Sequence, residues 1–274
     1  MQNSLERCKM KWILKIAFSL FIFTATGCVT LYKPNVVHSP LLKEKGEVTA
    51  SASLGISGSG LYNFQAATAL SDHAGIMADG MYHTRMTNHT DSSYEKLNLL
   101  FAEAGGGYFT RFSENKKGLF QCYGGGGFGS SRDIMHSAMP PEPEVSSKYM
   151  NVFVQPGVAY TDDNFEAAFD VRMNYVQLFN IHAYLYKEFE WWNTDFVYYS
   201  DTTLRFVNIE PAVTVKAGGE KLKGILQFGV TIPAVNSKSY FMTSSSSLLL
   251  FPLIKFSVGI SYRFGKKQDI GFHQ

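Results

Sequence analysis

Apolar and polar residues alternate one by one through much of this chain, in runs of about ten residues separated by turn-forming residues. The clearest run has Phe165, Ala167, Phe169, Val171, Met173 and Tyr175 on one side, with Glu166, Ala168, Asp170, Arg172 and Asn174 on the other. Successive side chains of a β-strand point to opposite faces of a sheet, so one face is continuously apolar and the other carries acids and a base. Only an apolar surrounding on the first face accounts for that division.

The same division recurs between residues 205 and 216, where Val207, Ile209, Pro211, Val213 and Val215 alternate with Asn208, Glu210, Ala212, Thr214 and Lys216. It returns in Leu226, Phe228, Val230 and Ile232 against Gln227, Gly229 and Thr231. In the last run Ile254, Phe256, Val258, Ile260, Tyr262 and Phe264 oppose Lys255, Ser257, Gly259, Ser261 and Arg263. Further strands are predicted at 47–56, 61–70, 75–85, 97–112, 119–130 and 149–160, making ten. A tilted strand of about ten residues crosses the hydrocarbon layer of a bilayer.

The connections alternate in length. Short ones follow the even strands, at 71–73, 113–117, 161–164 and 217–221. Longer polar ones follow the third, fifth, seventh and ninth, at 86–96, 131–148, 178–203 and 234–248. Outer-membrane barrels have short periplasmic turns and long extracellular loops. The expected fold is therefore all-β, an antiparallel up-and-down transmembrane β-barrel of about ten strands over residues 46–264, with short periplasmic turns and longer extracellular loops. The connection 57–60 after the first strand is the exception, short where the pattern allows a long one.

At the N-terminus Arg7, Lys9, Lys11 and Lys15 flank an apolar run, Ile16 to Phe23, that leads to Ala25-Thr26-Gly27-Cys28. The run is too short to cross a bilayer as a helix, and small residues stand where a cleavage site belongs, so residues 1–27 read as a secretory signal. A small-residue run closing on cysteine resembles the lipobox of bacterial lipoproteins, which implies lipid attachment at Cys28; an ordinary cleaved signal with an incidental cysteine is the alternative. Residues 28–45 then read as a periplasmic tether and 265–274 as a C-terminal tail. Val29 to Lys33 lack the acids that surface-displayed lipoproteins tend to carry after the cysteine, so a periplasmic-side anchor in the bacterial outer membrane is expected. With Cys8 in the presequence and Cys28 carrying lipid, Cys122 is left alone as a packing residue, and closure of a sheet rather than a disulfide must hold the chain together.

Composition agrees with this class. Charged residues are 18%, below the roughly 25% of soluble domains, and aromatics reach 15%. A net charge of +2 without a basic tract excludes a nucleic-acid surface.

The run Phe256 to Phe264 resembles the terminal strand that marks outer-membrane barrels for assembly, although ten residues follow its final phenylalanine. Lys33-Pro34-Asn35, Ser39-Pro40-Leu41-Leu42, Lys45-Gly46-Glu47, Gln65-Ala66-Ala67 and His73-Ala74-Gly75 together resemble a set of uncharacterised lipid-anchored outer-membrane β-barrel proteins of Bacteroidota-type bacteria. That resemblance implies a fold, an address and dealings with outer-membrane lipid and with the barrel-assembly and lipoprotein-export machinery. It implies no reaction.

No catalytic motif or cofactor motif emerges. Gly124 to Gly127 lack the Gly-Lys-Ser/Thr of a phosphate loop and are expected to pair with Gly105 to Gly107, allowing tight curvature with Tyr108 and Tyr123 covering the gaps. His83, His89, Asp91 and His136 are the one candidate rim cluster, and a rim-active enzyme requires them to converge. Glu166, Asp170, Arg172, Glu210, Lys216, Lys255 and Arg263 form the candidate interior charge cluster; charges enclosed by a narrow barrel must pair, and a lumen of this size should be plugged. Trp191, Trp192, Tyr198 and Tyr199 are candidate interfacial or recognition aromatics. Three functions are compatible with this pattern: a non-enzymatic barrel lipoprotein that is structural or binds a partner through external loops, a rim-active enzyme, and a tethered lipocalin-like barrel with its aromatic face turned inward around an apolar ligand.

Overall fold

The computed structural model describes residues 32–264 except 56–59, 91–92, 114, 137–143, 191–192, 237–241, 244–245 and 248–253, so the signal, Cys28 and the C-terminal tail lie outside the described residues. Among those described there is no helix. The strands are β1 (Val48–Gly55), β2 (Leu61–Ala69), β3 (Ala74–Thr90), β4 (Ser93–Phe112), β5 (Gly118–His136), β6 (Glu144–Thr161), β7 (Phe165–Glu190), β8 (Asn193–Gly218), β9 (Leu222–Val230), β10 (Ile232–Asn236), β11 (Met242–Thr243), β12 (Ser246–Ser247) and β13 (Ile254–Phe264).

Each strand from β1 to β8 is antiparallel to its successor, β13 pairs with β9, and β1 pairs with both β2 and β13, so the sheet closes on itself. Strand β10 continues the line of β9 beyond Thr231 along the same neighbour, with Ile232 opposite Ile209. The result is a closed antiparallel barrel of ten staves among the described residues. Closure removes both edges of the ring, so the wall presents no open sheet edge at its seam.

Which way the alternation faces is decided on β7. Phe165, Phe169 and Met173 are 43%, 47% and 46% exposed, whereas Glu166, Asp170, Arg172 and Asn174 are at most 2% exposed. Val213, Leu226, Phe228, Val258 and Ile260 likewise face outward on neighbouring strands. The apolar faces form a belt around the outside and the polar faces line the inside. The inward aromatic face that a lipocalin-like barrel requires is absent from these strands.

The two ends of the barrel differ, although not as the sequence predicts. At one end the connections are the short turns 70–73, 113–117, 162–164 and 219–221. There the exposed Lys117 lies 3.3 Å from Asp162; hydrogen bonds to Tyr160 and Asp162 raise the Lys117 pKa, and the bond from Lys117 lowers that of Asp162. At the other end, the stretches predicted as loops at 86–96 and 178–203 are largely paired strand: Met86 stands opposite Lys96, Tyr184 opposite Tyr198 and Phe189 opposite Thr194. Cross-strand partners continue the ladder above the belt, including an Arg85–Glu95 ion pair. With 26 residues each, β7 and β8 far exceed the 9–11 that a bilayer requires. Three tall hairpins, β3–β4, β5–β6 and β7–β8, thus rise at what we call the hairpin end. The β1–β2 connection alone among the described hairpins there stays low, ending at Gly55 and resuming at Leu61.

The glycine tracts of β4 and β5 face each other as expected, with Gly105 opposite Gly125 and Gly106 opposite Gly124. Their role is room. A Cβ on Gly125 would stand 2.2 Å from the Ala104 carbonyl oxygen, and one on Gly107 would stand 2.6 Å from the ring of Tyr123, which lies fully buried across it. Gly106, facing out, has nothing nearer than 3.6 Å. Gly125→Val should therefore lower the stability of the refolded barrel by about 1–3 kcal/mol while Gly106→Ala leaves it within error, as read from urea unfolding followed by tryptophan fluorescence.

Candidate functional site

The inside of the barrel is occupied by the chain itself. Residues 32–42 are all buried, and they run through the lumen from the hairpin end to the turn end. The stretch predicted as a periplasmic tether is in its larger part a luminal segment. Its direction follows from its partners. Tyr32 packs edge-on against Tyr149 and Phe206 near the hairpin end, with ring centroids 5.1 and 5.5 Å away. His38 reaches Asp79 midway, and Leu41 and Leu42 join Phe109, Leu119 and Ala168 near the turns. Leu41 and Gly46 take positive φ of 55° and 81°, turning the chain back so that β1 starts upward from the turn end.

Pro34 and Pro40 fix φ and remove two backbone donors, which keeps the segment extended and unable to pair as an ordinary strand. Its carbonyls must find other donors, because buried backbone groups are costly when unpaired. The lumen supplies them from side chains. Lys255 donates to the Asn35 carbonyl (3.1 Å), Gln65 to Val36 (3.3 Å), Gln227 to Val37 (2.7 Å), Gln155 to His38 (2.6 Å), Lys216 to Ser39 (2.8 Å) and Arg263 to Leu41 (3.4 Å). These donors come from β2, β6, β8, β9 and β13, so the segment is held from nearly all sides.

Around this backbone the interior charges form tiers. The upper tier joins Arg172 to Glu103 (2.8 Å) and Lys255 to Glu210 (2.9 Å), with Asn151 and Asn35 donating to Glu103 and Asn174 to Glu210. Arg172 also donates to Gln155 and lies 4.2 Å above the Phe153 ring. In the middle tier Asp170 accepts from Gln121 (2.8 Å) and from the Ser39 hydroxyl, while Gln227 and Thr214 complete the ring. At the turn end Glu166 is shared by Arg263, Lys43 and Lys223, and Arg263 also meets Glu47.

All seven residues singled out as an interior charge cluster face the lumen. The pairing among them is partial: Glu166 meets Arg263 and Glu210 meets Lys255, whereas Asp170 and Lys216 take the luminal segment and Arg172 takes Glu103. Sequence reasoning missed Glu103 and Asp79, which stand in glycine- and alanine-rich strands, and the glutamines Gln65, Gln121, Gln155 and Gln227. Alternation marks these glutamines as inward-facing, but nothing local says that they wait for backbone carbonyls.

Of the candidate rim cluster, the two histidines with described side chains stand apart. His83 is buried inside the barrel beside Lys33, with 3.4 Å between their nitrogens. His136 stacks on Tyr94 near the tip of β5, five residues along that strand from Ser131, which aligns through Leu99 with His83. At about 3.3 Å per residue the two histidines are roughly 16 Å apart along the wall. The side chain of His89 and all of Asp91 lie outside the described residues, as do Trp191 and Trp192. Tyr198 and Tyr199 pair opposite Tyr184 and Ala183 on the tallest hairpin. Cys122 is half-buried on β5. No group of acids, histidines and cysteines with metal-binding geometry is present among the described residues.

No protein-family profile matches the chain, and no curated protein matches it.

Replacing Arg172 by Leu leaves Glu103 without its cation inside the barrel. Stability should fall by about 3–5 kcal/mol in denaturant titration, and pairing the change with Glu103→Leu should restore much of the loss, because the penalty arises from the orphaned charge.

Proposed function

We propose that the protein is an outer-membrane β-barrel lipoprotein, anchored through Cys28, whose lumen is sealed by its own N-terminal segment and whose role is structural or partner-binding through the tall hairpins. The single observation that carries this reading is the orientation of the alternation: an apolar belt outside and an interior whose charges are paired. A soluble barrel would face water with Phe169, Met173, Val213, Phe228, Val258 and Ile260 at once, whereas hydrocarbon welcomes them. The resemblance to lipid-anchored barrels of Bacteroidota-type bacteria and the terminal strand Phe256 to Phe264 support the same address, with the barrel-assembly and lipoprotein-export machinery as partners in biogenesis.

General solute conduction does not fit this interior, because residues 32–42 occupy the lumen and are buried throughout. Surface recognition is left to β3–β8, which carry Tyr94, His136 and the aromatic stretch of β7–β8 beyond the belt.

Heat-modifiable migration of the membrane fraction combined with protease shaving of intact cells tests the reading. A shift on boiling, with cleavage confined to the hairpin tips near residues 91–92, 137–143 and 191–192, is the expected result; release of an unshifted soluble fragment by cleavage near residue 30 would overturn it. Phe169→Arg, placing a charge in the belt, should cost about 2–4 kcal/mol and lower the heat-modifiable fraction, while Asn98→Arg above the belt should not. Deleting residues 32–42 should raise conductance in planar bilayers above the closed baseline of the full chain.

A further inference from the structure

The direction of the luminal segment fixes where the mature N-terminus leaves the barrel. Proceeding backward from Leu42 to Tyr32, the partners climb steadily. On β7 they pass from Asp170 beside Ser39 to Asn174 beside Tyr32, and on β3 from Asp79 beside His38 to His83 beside Lys33. On β13 they pass from Arg263 at Leu41 to Lys255 at Asn35. Three strands, two rising and one descending, give the same answer: the segment climbs toward the hairpin end, away from the short turns. A return through the lumen is blocked by the segment itself.

The height of the wall at that point matters as much. Lys33 reaches His83, which stands opposite Leu61, the first residue of β2, so the segment is level here with the low β1–β2 rim, while the Tyr32 ring itself packs against β6 and β8. Gly60 holds that rim against β3, its carbonyl accepting from the Thr84 amide at 3.0 Å. Just below the rim on the outside, Leu54 and Tyr62 are 55% and 41% exposed and mark the top of the apolar belt in this sector. They border an outward apolar groove of about 390 Å³ that also involves Ala52, Phe64, Val258 and Ile260. The groove exists because Ala52, opposite Ile260 on one neighbour and Phe64 on the other, is too small to fill the space between them.

Cys28 precedes Tyr32 by four residues, a span of at most about 14 Å even when fully extended. That reach covers the step over the low rim and excludes the opposite end of the barrel. We propose that the N-terminus leaves over the β1–β2 rim, so that a lipid on Cys28 inserts into the leaflet at the hairpin end, against the outer wall of β13, β1 and β2. This rests on the embedded lipoprotein reading above, and it places the anchor in the outer leaflet, opposite to the periplasmic-side anchor that the sequence following Cys28 led us to expect.

The test is thiol accessibility in a Cys122→Ser background, comparing Thr30→Cys beside the anchor with Lys221→Cys in a short turn, using a membrane-impermeant maleimide on intact and on lysed cells. Heat-modifiable migration of each variant establishes that it is folded. The expected result is that Thr30→Cys labels to the same extent before and after lysis, while Lys221→Cys labels only after it. If both positions require lysis and migration remains heat-modifiable, the barrel reading stands and the outer-leaflet anchor is overturned. If Lys221→Cys labels on intact cells, or heat modifiability is absent, the embedded and oriented barrel itself fails, and the anchor assignment with it.

Discussion

The structure depends on one constraint: a closed, narrow barrel that turns its charges inward must give each of them a partner where bulk water is scarce. The luminal segment meets that constraint as much as the barrel wall does. Its carbonyls accept from Lys216, Lys255, Arg263 and three glutamines, and its Asn35 and Ser39 side chains donate to Glu103 and Asp170. Without it, three cations and three acids of the wall would each lose a partner. The wall and the segment are therefore one core, in which polar partners are set between two apolar clusters.

The glycines belong to the same design. Small inward positions on β4 and β5 give Tyr123, Tyr149, Phe153 and Asn151 room to lie across the lumen, and these side chains in turn confine the segment. Gly129 yields space to the Tyr149 ring, which meets Tyr32 edge-on. An interior of uniformly large side chains would leave no passage, and one of uniformly small side chains would leave a pore. The alternation of glycine with aromatic residues gives a lumen shaped to a single extended chain.

Much of the architecture was legible before any coordinates. Alternation located all ten staves, because a two-sided environment writes itself into a strand residue by residue, as in Phe165 to Tyr175. Strand ends above the belt were not legible: segments such as 86–96 and 178–203 lose their apolar face where the membrane reading ends, so they resemble loops although cross-strand pairing persists. The fate of residues 32–42 was also hidden. Lys33-Pro34-Asn35 and Ser39-Pro40-Leu41-Leu42 carry no periodicity, since a chain surrounded on all sides has no face to alternate with. The residues that carried the likeness to lipid-anchored barrels include this same luminal stretch. The short connection after β1, an exception to the pattern of lengths, joins two strands that end lower than the tall hairpins beside them.

A segment threaded through a ring also constrains the order in which the molecule is made. Residues 32–42 are continuous with β1 at the turn end and leave by the hairpin end, while β1 forms the closing seam with β13. A seam that closes around a thread already in place gives the polar side chains of the wall their permanent partners from the moment the ring exists.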